Sequence, residues 1–455
     1  MALYAGGDIN VVEEVDINSS LDSVPVVVAT PVPVRPQSAM LRRWVPLLVK
    51  FASIQVVVQI LGFASGILVV RNLVKAEYAL YTLGNTMLAT ILLIADSGVS
   101  SALTSIGGRV WQDRGRLSQL MKTALHLRRW MLGGTLVIVL PVLLWLLIQN
   151  GATRGKASWI VGIVVLGCGL EVVTRIYAVA LRLKSEVGQI QKQALVAAAV
   201  KFAIVALALT VKLTVEVALL AVAAGFATQY WMLRRWHLHN LDVHAERDIT
   251  MRHDIVAIVR KQAPLTIYYC LQAQITVWLI SVFGNATSVA DVGALSRLAM
   301  VFTIIGSVTS ELVFPAFARL QVPALLRRRY VEILVGFSAI SAVMVLATIL
   351  FPHQILAILG SQYQHLESEN VLMAISTVLG AMANLAWGLN TARSWILPAA
   401  QFIPAMLVTQ VGLVWMLNLT TVKGVLYLSI FSILPSVLWA IGFGLWRIQR
   451  LERAV

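Results

Sequence analysis

The chain has 455 residues, of which 59% are hydrophobic and 13% charged, and its mean hydropathy is +0.82. That composition excludes an ordinary soluble domain and makes the bilayer the solvent. A net charge of +15 fits either a nucleic-acid binder or a membrane protein with basic cytoplasmic loops, and the position of the basic residues decides for the second. Two cysteines, Cys168 and Cys270, both in apolar stretches, supply neither a disulfide framework nor a metal cluster and read as packing residues.

Residues 1–40 carry Asp8, Glu13, Glu14, Asp16 and Asp22, followed by a Val/Pro run ending at Pro36. They have no basic n-region and no uninterrupted apolar core, so they read as a disordered, acidic cytoplasmic tail rather than a secretory signal. The first span then serves as an uncleaved signal-anchor. A helix needs roughly 20 apolar residues to cross the hydrocarbon. On that measure, apolar runs predict helices near 45–70, 78–104, 126–149, 157–181, 190–211 and 214–233, the N-terminal bundle of residues 41–233. The polar segment 234–261 reads as a cytoplasmic linker. Six more helices follow near 262–284, 290–318, 330–351, 369–390, 394–418 and 423–446, the C-terminal bundle of residues 262–447, before a short cytoplasmic tail, 448–455. The predicted fold class is an all-α integral membrane protein, with about twelve transmembrane helices in two six-helix bundles around a central cavity.

Basic residues test the topology independently, because Lys and Arg concentrate in short cytoplasmic loops. The ends and even-numbered loops hold about 26 of them; the odd-numbered loops hold about six, Arg71, Lys75, Arg154, Lys156, Lys212 and Lys423. Adding or removing one helix would scramble this alternation, so both termini are placed in the cytoplasm, with the chain in the cytoplasmic (inner) membrane. Trp44, Trp159, Trp236 and Trp395 near span ends fit an interfacial belt. Six spans per half preserve orientation, as in a repeat about an axis along the membrane normal. A helix pair ending in Gly107-Gly108-Arg109 corresponds roughly to one ending in Ala316-Phe317-Ala318-Arg319.

Charges inside apolar stretches are costly in hydrocarbon and are expected to face a cavity or a partner. They are Lys50, Asp96, Glu171, Arg175, Lys201, Arg297 and Glu311. Lys50, Arg175, Lys201 and Arg297 are candidate binders of an anionic substrate; Asp96, Glu171 and Glu311 are candidates for a coupling ion. Each has a plainer reading. Glu171 and Arg175, at i and i+4, can simply neutralise each other. Lys50 and Arg297 can snorkel to the interface, and Asp96 can bond Ser97, Ser100 and Ser101 in a helix-packing network. Lys201 lies near mid-span. Gln55, Gln59, Gln272 and Gln274 suit sugar hydroxyls or interhelical hydrogen bonds equally well. Gly62-Phe63-Ala64-Ser65-Gly66 allows close helix crossing, and Pro46, Pro141, Pro264, Pro398, Pro404 and Pro435 can kink spans. His237, His239, His244 and His253 lack zinc-ligand spacing and read as a solvated basic loop. No phosphate-cradling loop is present, so transport must draw on ion gradients, membrane potential or substrate flux; no cofactor is indicated.

Several short runs carry a resemblance. They are Arg71-Asn-Leu-Val-Lys-Ala-Glu77-Tyr78-Ala-Leu-Tyr81, Asp96-Ser-Gly98-Val-Ser-Ser-Ala102-Leu103, Val292-Gly293-Ala-Leu, Pro315-Ala-Phe-Ala-Arg319, and Phe351-Pro352 through Leu359-Gly360-Ser-Gln-Tyr363. In order and spacing, from about Val45 to Trp446, the chain resembles the polysaccharide-transport branch of the multidrug/oligosaccharidyl-lipid/polysaccharide flippase superfamily, which includes O-antigen flippases. Ala79 departs from the glycine common between the two tyrosines, and the acidic tail is not typical. The resemblance implies two six-helix bundles, a cationic cavity opening alternately to each side, and an undecaprenyl-pyrophosphate-linked oligosaccharide as cargo. Further partners would be membrane lipids and the glycan polymerase and glycosyltransferases of the same pathway, with no nucleic acid. The expected function is translocation, not enzymatic catalysis. Two alternatives stand beside it: a membrane-embedded glycan polymerase or ligase, disfavoured by the short external loop Pro352 to Glu369 without an evident acid/base pair, and a cation-coupled drug or metabolite antiporter of the same superfamily.

Overall fold

The computed structural model describes the backbone of residues 37–453 apart from 185, 243–244, 301–305, 307–308, 310–312, 319–322, 394 and 396–397. Side chains are described from residue 54 onward, without those same positions and without 187, 315–316 and 323–324. Ile54–Val455 is one compact unit.

Every regular element among the described residues is a helix. In chain order they are α1 (Gln37–Asn72), α2 (Lys75–Asp96), α3 (Val99–Val110), α4 (Arg114–Gln149), α5 (Arg154–Leu183), α6 (Val187–Ala208), α7 (Val215–Asn240), α8 (Ile249–Phe283) and α9 (Ala286–Leu298). There follow α10 (Phe314–Ala318), α11 (Pro323–Leu350), α12 (Pro352–Ala357), a single 3₁₀ turn at Ser361–Tyr363, α13 (Glu367–Ala392), α14 (Ala399–Met416) and α15 (Val422–Arg453). Eleven helices among the described residues are long and apolar enough to cross a membrane. The eighth expected span, 290–318, begins as α9 and ends as α10, and Glu311 between them lies outside the described residues. The architecture is thus the expected all-α membrane fold.

Short polar side chains start the helices by accepting hydrogen bonds from otherwise unmet backbone amides. Asp113 accepts from Arg116 N (3.0 Å), Asn285 from Ser288 N (2.9 Å), and Asp248 from Thr250 N and Met251 N (2.7 and 3.2 Å). Large apolar side chains face outward along the spans: Val137 is 76% exposed, Val343 67% and Val408 73%. That surface would aggregate in water and is at home among acyl chains. α2 is the exception. Most of its length is buried, because it packs on α4, α5 and α7 on one side and on α8 and α9 on the other.

Three sequence expectations are corrected. The second span, expected as one helix over 78–104, breaks after Asp96. Gly98 adopts φ +96° and Ser97 φ +28°, in the left-handed region where glycine is the natural occupant. A methyl on Gly98 would also stand 2.8 Å from Gln262 Oε1 of α8, so the turn needs glycine for space as well as for conformation. Second, the linker expected at 234–261 is mostly helix, since α7 runs on to Asn240 and α8 starts at Ile249. The short connection is tied down: Ser118 Oγ accepts from Asp242 N (2.8 Å), Thr123 Oγ1 from Asp248 N (3.1 Å), and Arg114 donates to the His239 carbonyl (3.1 Å). Its polarity comes from helix ends, not from an extended tether. Third, the segment from Pro352 to Glu369, expected as an external loop, is folded into α12, the 3₁₀ turn and the start of α13, with Leu356, Leu359 and Tyr363 fully buried. Gln362 Nε2 donates to the Val70 carbonyl (3.0 Å) and anchors the turn on α1. His353 Nδ1 lies 3.4 Å from Glu367 Oε1, an acid/base pair that sequence reading passed over; it is exposed on the surface and not set in a cleft.

Candidate functional site

Two largely buried polar groups lie between the helices, one near each end of α2. The first sits where α2 ends. At 1.5 Å per residue Asp96 is about 30 Å along α2 from Lys75, at the end of the helix rather than deep within a span. Its Oδ1 accepts from Ser100 N (3.3 Å) and Ser100 Oγ (2.7 Å), capping the start of α3 across the Gly98 turn. The expected packing network is therefore real at Ser100. Ser97 Oγ instead bonds the Ile94 carbonyl, and Ser101 is exposed.

Arg128 of α4 joins this group, with Nη2 3.1 Å from the same Asp96 oxygen. Its side chain is fully buried. None of its guanidinium nitrogens makes a hydrogen bond among the described residues, so the Asp96 contact is an ion pair by proximity alone. Beyond it, Arg175 Nε donates to Glu171 Oε1 at 2.8 Å, with Glu171 buried and Arg175 partly exposed. Glu171 Oε2 has no hydrogen-bond partner among the described residues. Arg128 lies within electrostatic range of Glu171 and Arg175, which makes a chain of alternating charges: Asp96, Arg128, Glu171, Arg175.

The second group lies toward the opposite end of α2. Arg297 of α9 reaches across to α2, where its Nε donates to Tyr78 Oη at 3.3 Å and its guanidinium stands 5.5 Å from the Tyr81 ring centroid. Gly66 of α1 gives it room, since a Cβ there would touch Arg297 Cδ at 3.4 Å. Lys201 of α6 also comes within electrostatic range of Tyr81. Neither Lys201 nor Arg297 has an acidic partner among the described residues. Close by, Lys75 Nζ bonds Asp291 Oδ1 at 2.8 Å and stands 5.1 Å from the Tyr363 ring centroid, joining α2, α9 and the 3₁₀ turn.

The other sequence candidates divide. Gln55 and Gln59 occupy one half-buried face of α1 while Val56, Val57 and Ile60 are exposed on the other. Gln272 Oε1 accepts from Gln410 Nε2, tying α8 to α14, and its own Nε2 has no partner among the described residues. Lys50 lies outside the residues whose side chains are described. Arg128 is the residue that sequence reading missed, because beside Arg129 at the very start of the helix expected at 126–149 it reads as one of the basic residues of an even-numbered loop. Its signal was periodicity: Leu117, Met121, Ala124, Arg128, Leu132, Thr135 and Val139 form one buried helical stripe of α4.

No protein-family model matches this chain, and neither does any curated protein. Solved structures do. A multidrug-resistance transporter of the MATE family in the MOP superfamily, in an inward-facing conformation, superposes with a TM-score of 0.68 at 16% identity, over 87% of this chain and 96% of that one. This chain has the MATE-type fold. An outward-facing MATE-family transporter gives 0.60 at 15% identity over 89% and 95%. A MOP-superfamily transporter from Pyrococcus furiosus, described by a binding pocket of reverse polarity, gives 0.62 at 14% identity over 89% and 95%. The MATE-type arrangement thereby bears out the expected fold class, about twelve helices in two bundles.

Proposed function

We propose that this chain moves a lipid-linked oligosaccharide or polysaccharide across the cytoplasmic membrane by alternating access of its two helical bundles, residues 41–233 and 262–447. The observation that carries the reading is the sign of the charge held between the helices. Asp96 and Glu171 each have an arginine partner, whereas Lys201 and Arg297 have no acid among the described residues and Arg128 keeps unmet donors. That surplus suits a pyrophosphate, whose desolvation would otherwise forbid passage. Half-buried Gln55 and Gln59 offer amide groups for sugar hydroxyls. With an inside-negative potential, outward movement of each negative charge gains about 2.3 kcal/mol per 100 mV.

Deleting the chain from its native cell tests this directly. Lipid-linked sugars should accumulate on the inner leaflet and surface glycan should be lost; unchanged surface glycan would reject the reading.

A cation-coupled drug or metabolite antiporter is the second reading, favoured by the likeness to MATE-family transporters. It requires Asp96 or Glu171 to release its arginine and take up a proton or metal ion. Substrate-driven proton or sodium flux through the reconstituted chain, abolished by Glu171→Gln, would favour it over the first. The glycan polymerase or ligase alternative would rest on the exposed His353 and Glu367 pair, and glycosidic bond formation by the purified chain would be its proof.

A further inference from the structure

A cavity of about 210 Å³ opens where α5 and α7 end and α6 begins, lined by Gln189, Lys192 and Gln193 of α6 and by Trp231, Arg235 and Trp236 of α7, among others. It shares no lining residue with either polar group described above. We propose that it binds the headgroup of an anionic glycerophospholipid drawn from the surrounding bilayer.

Charge is the first argument. Lys192 and Arg235 are exposed and have no acidic partner among the described residues. Lys184 adds a third cation at the rim, 5.4 Å from the Trp236 ring centroid. The neighbouring carboxylate, Glu186, is held by the Trp236 indole, whose Nε1 donates to Glu186 Oε2 at 2.6 Å. The Arg235 guanidinium lies flat enough on Trp231 to stand 3.8 Å from its ring centroid, which fixes its direction without neutralising it. Basic pockets between transmembrane helices at the membrane surface are suited to phosphodiester headgroups.

An unmet hydrogen bond is the second argument. Gln193 is only 7% exposed, and its Oε1 has no partner among the described residues. A buried acceptor of this kind calls for a donor, and a headgroup hydroxyl such as that of a glycerol supplies one. Location is the third. Gln189, Lys192 and Gln193 belong to the first two turns of α6, while Trp231 to Trp236 lie in the last turns of α7. Trp231 is 54% exposed, as an interfacial tryptophan should be. The pocket therefore sits at helix ends, where an exposed ring and nearby cations can meet a lipid and its phosphate.

The test uses the purified full chain in detergent with short-chain phosphatidylglycerol as probe, read by native mass spectrometry and by the melting temperature. Phosphatidylglycerol should remain bound and raise the melting temperature, while phosphatidylcholine and inorganic phosphate should do neither. Lys192→Gln with Arg235→Gln should weaken phosphatidylglycerol binding roughly thirtyfold, from the loss of two surface charges, and Gln193→Leu roughly tenfold, from the lost hydrogen bond. Both charged residues are exposed, so the double variant should melt at the parent temperature when lipid is absent. Undiminished phosphatidylglycerol binding by the double variant, or an equal response to phosphatidylcholine or inorganic phosphate, would overturn the proposal.

Discussion

Arg128 buries a positive charge with Asp96 as its ion-pair neighbour, so the two substitutions that separate them should differ in cost. Asp96→Asn leaves an uncompensated guanidinium and should destabilise by about 3 kcal/mol. Arg128→Met leaves a partly exposed carboxylate that Ser100 still solvates, and should cost less. Thermal unfolding of the two variants and their combination checks this, and a double variant whose loss equals the sum of the single losses would show that the pair is not coupled. Gly98→Ala forces a side chain into φ +96° and against Gln262. It should destabilise by about 2 kcal/mol, and an unaltered melting temperature would show that the turn relaxes freely. Asp248, outside the spans, has its carboxyl held below the usual carboxylate range by the amides of Met251 and Thr250. Its contribution is full above the ordinary carboxylate value and is lost as pH falls through the lowered one. Amide exchange at Thr250 and Met251 should therefore quicken on strong acidification in the parent. Asp248→Asn keeps the cap without titrating, so a parent-like acid response in that variant would contradict the assignment.

At the scale of elements, α2 packs against both α8 and α9, and Lys75, Tyr78 and Thr82 all meet α9 there. A Cβ on Gly293 would stand 3.0 Å from Thr82 Cβ, about the reach of a disulfide after a small shift. The Thr82→Cys/Gly293→Cys variant should oxidise readily, lock this end of the helix pair and stop transport until reductant is added; full transport by the cross-linked chain would show that α2 and α9 do not separate during the cycle. The long helices were legible in the sequence because a bilayer leaves a long apolar run no other way to satisfy its backbone. The α2 break was not, because hydropathy is blind to a single left-handed glycine inside an apolar run. Arg128 escaped for a related reason: charge counted by stretch cannot separate a solvated arginine from one on a buried stripe, whereas the helical period of α4 does.

Over the whole molecule, charge is distributed unequally between the two ends. At the end carrying the α1–α2 turn, bases meet acids: Lys75 with Asp291, Lys156 with Glu77 and Glu216, Lys423 with Glu369. Elsewhere Arg109, Arg182, Arg235 and Arg450 have no carboxylate partner among the described residues; the sequence asymmetry of such basic residues is the basis for expecting both termini in the cytoplasm. Pairings such as Arg297 with Tyr78, 219 residues apart, could not be read from local sequence, since only the tertiary crossing of α2 and α9 brings them together. The cationic surplus between the bundles is the central claim. Its most direct measurement is translocation of a fluorescent undecaprenyl-pyrophosphate oligosaccharide by the chain reconstituted in liposomes, compared with Lys201→Gln and Arg297→Gln. The parent should move the lipid, faster with an inside-negative potential, and each variant should be slowed at least tenfold, the worth of one charge-assisted contact. Equal rates in the parent, both variants and protein-free liposomes would contradict it.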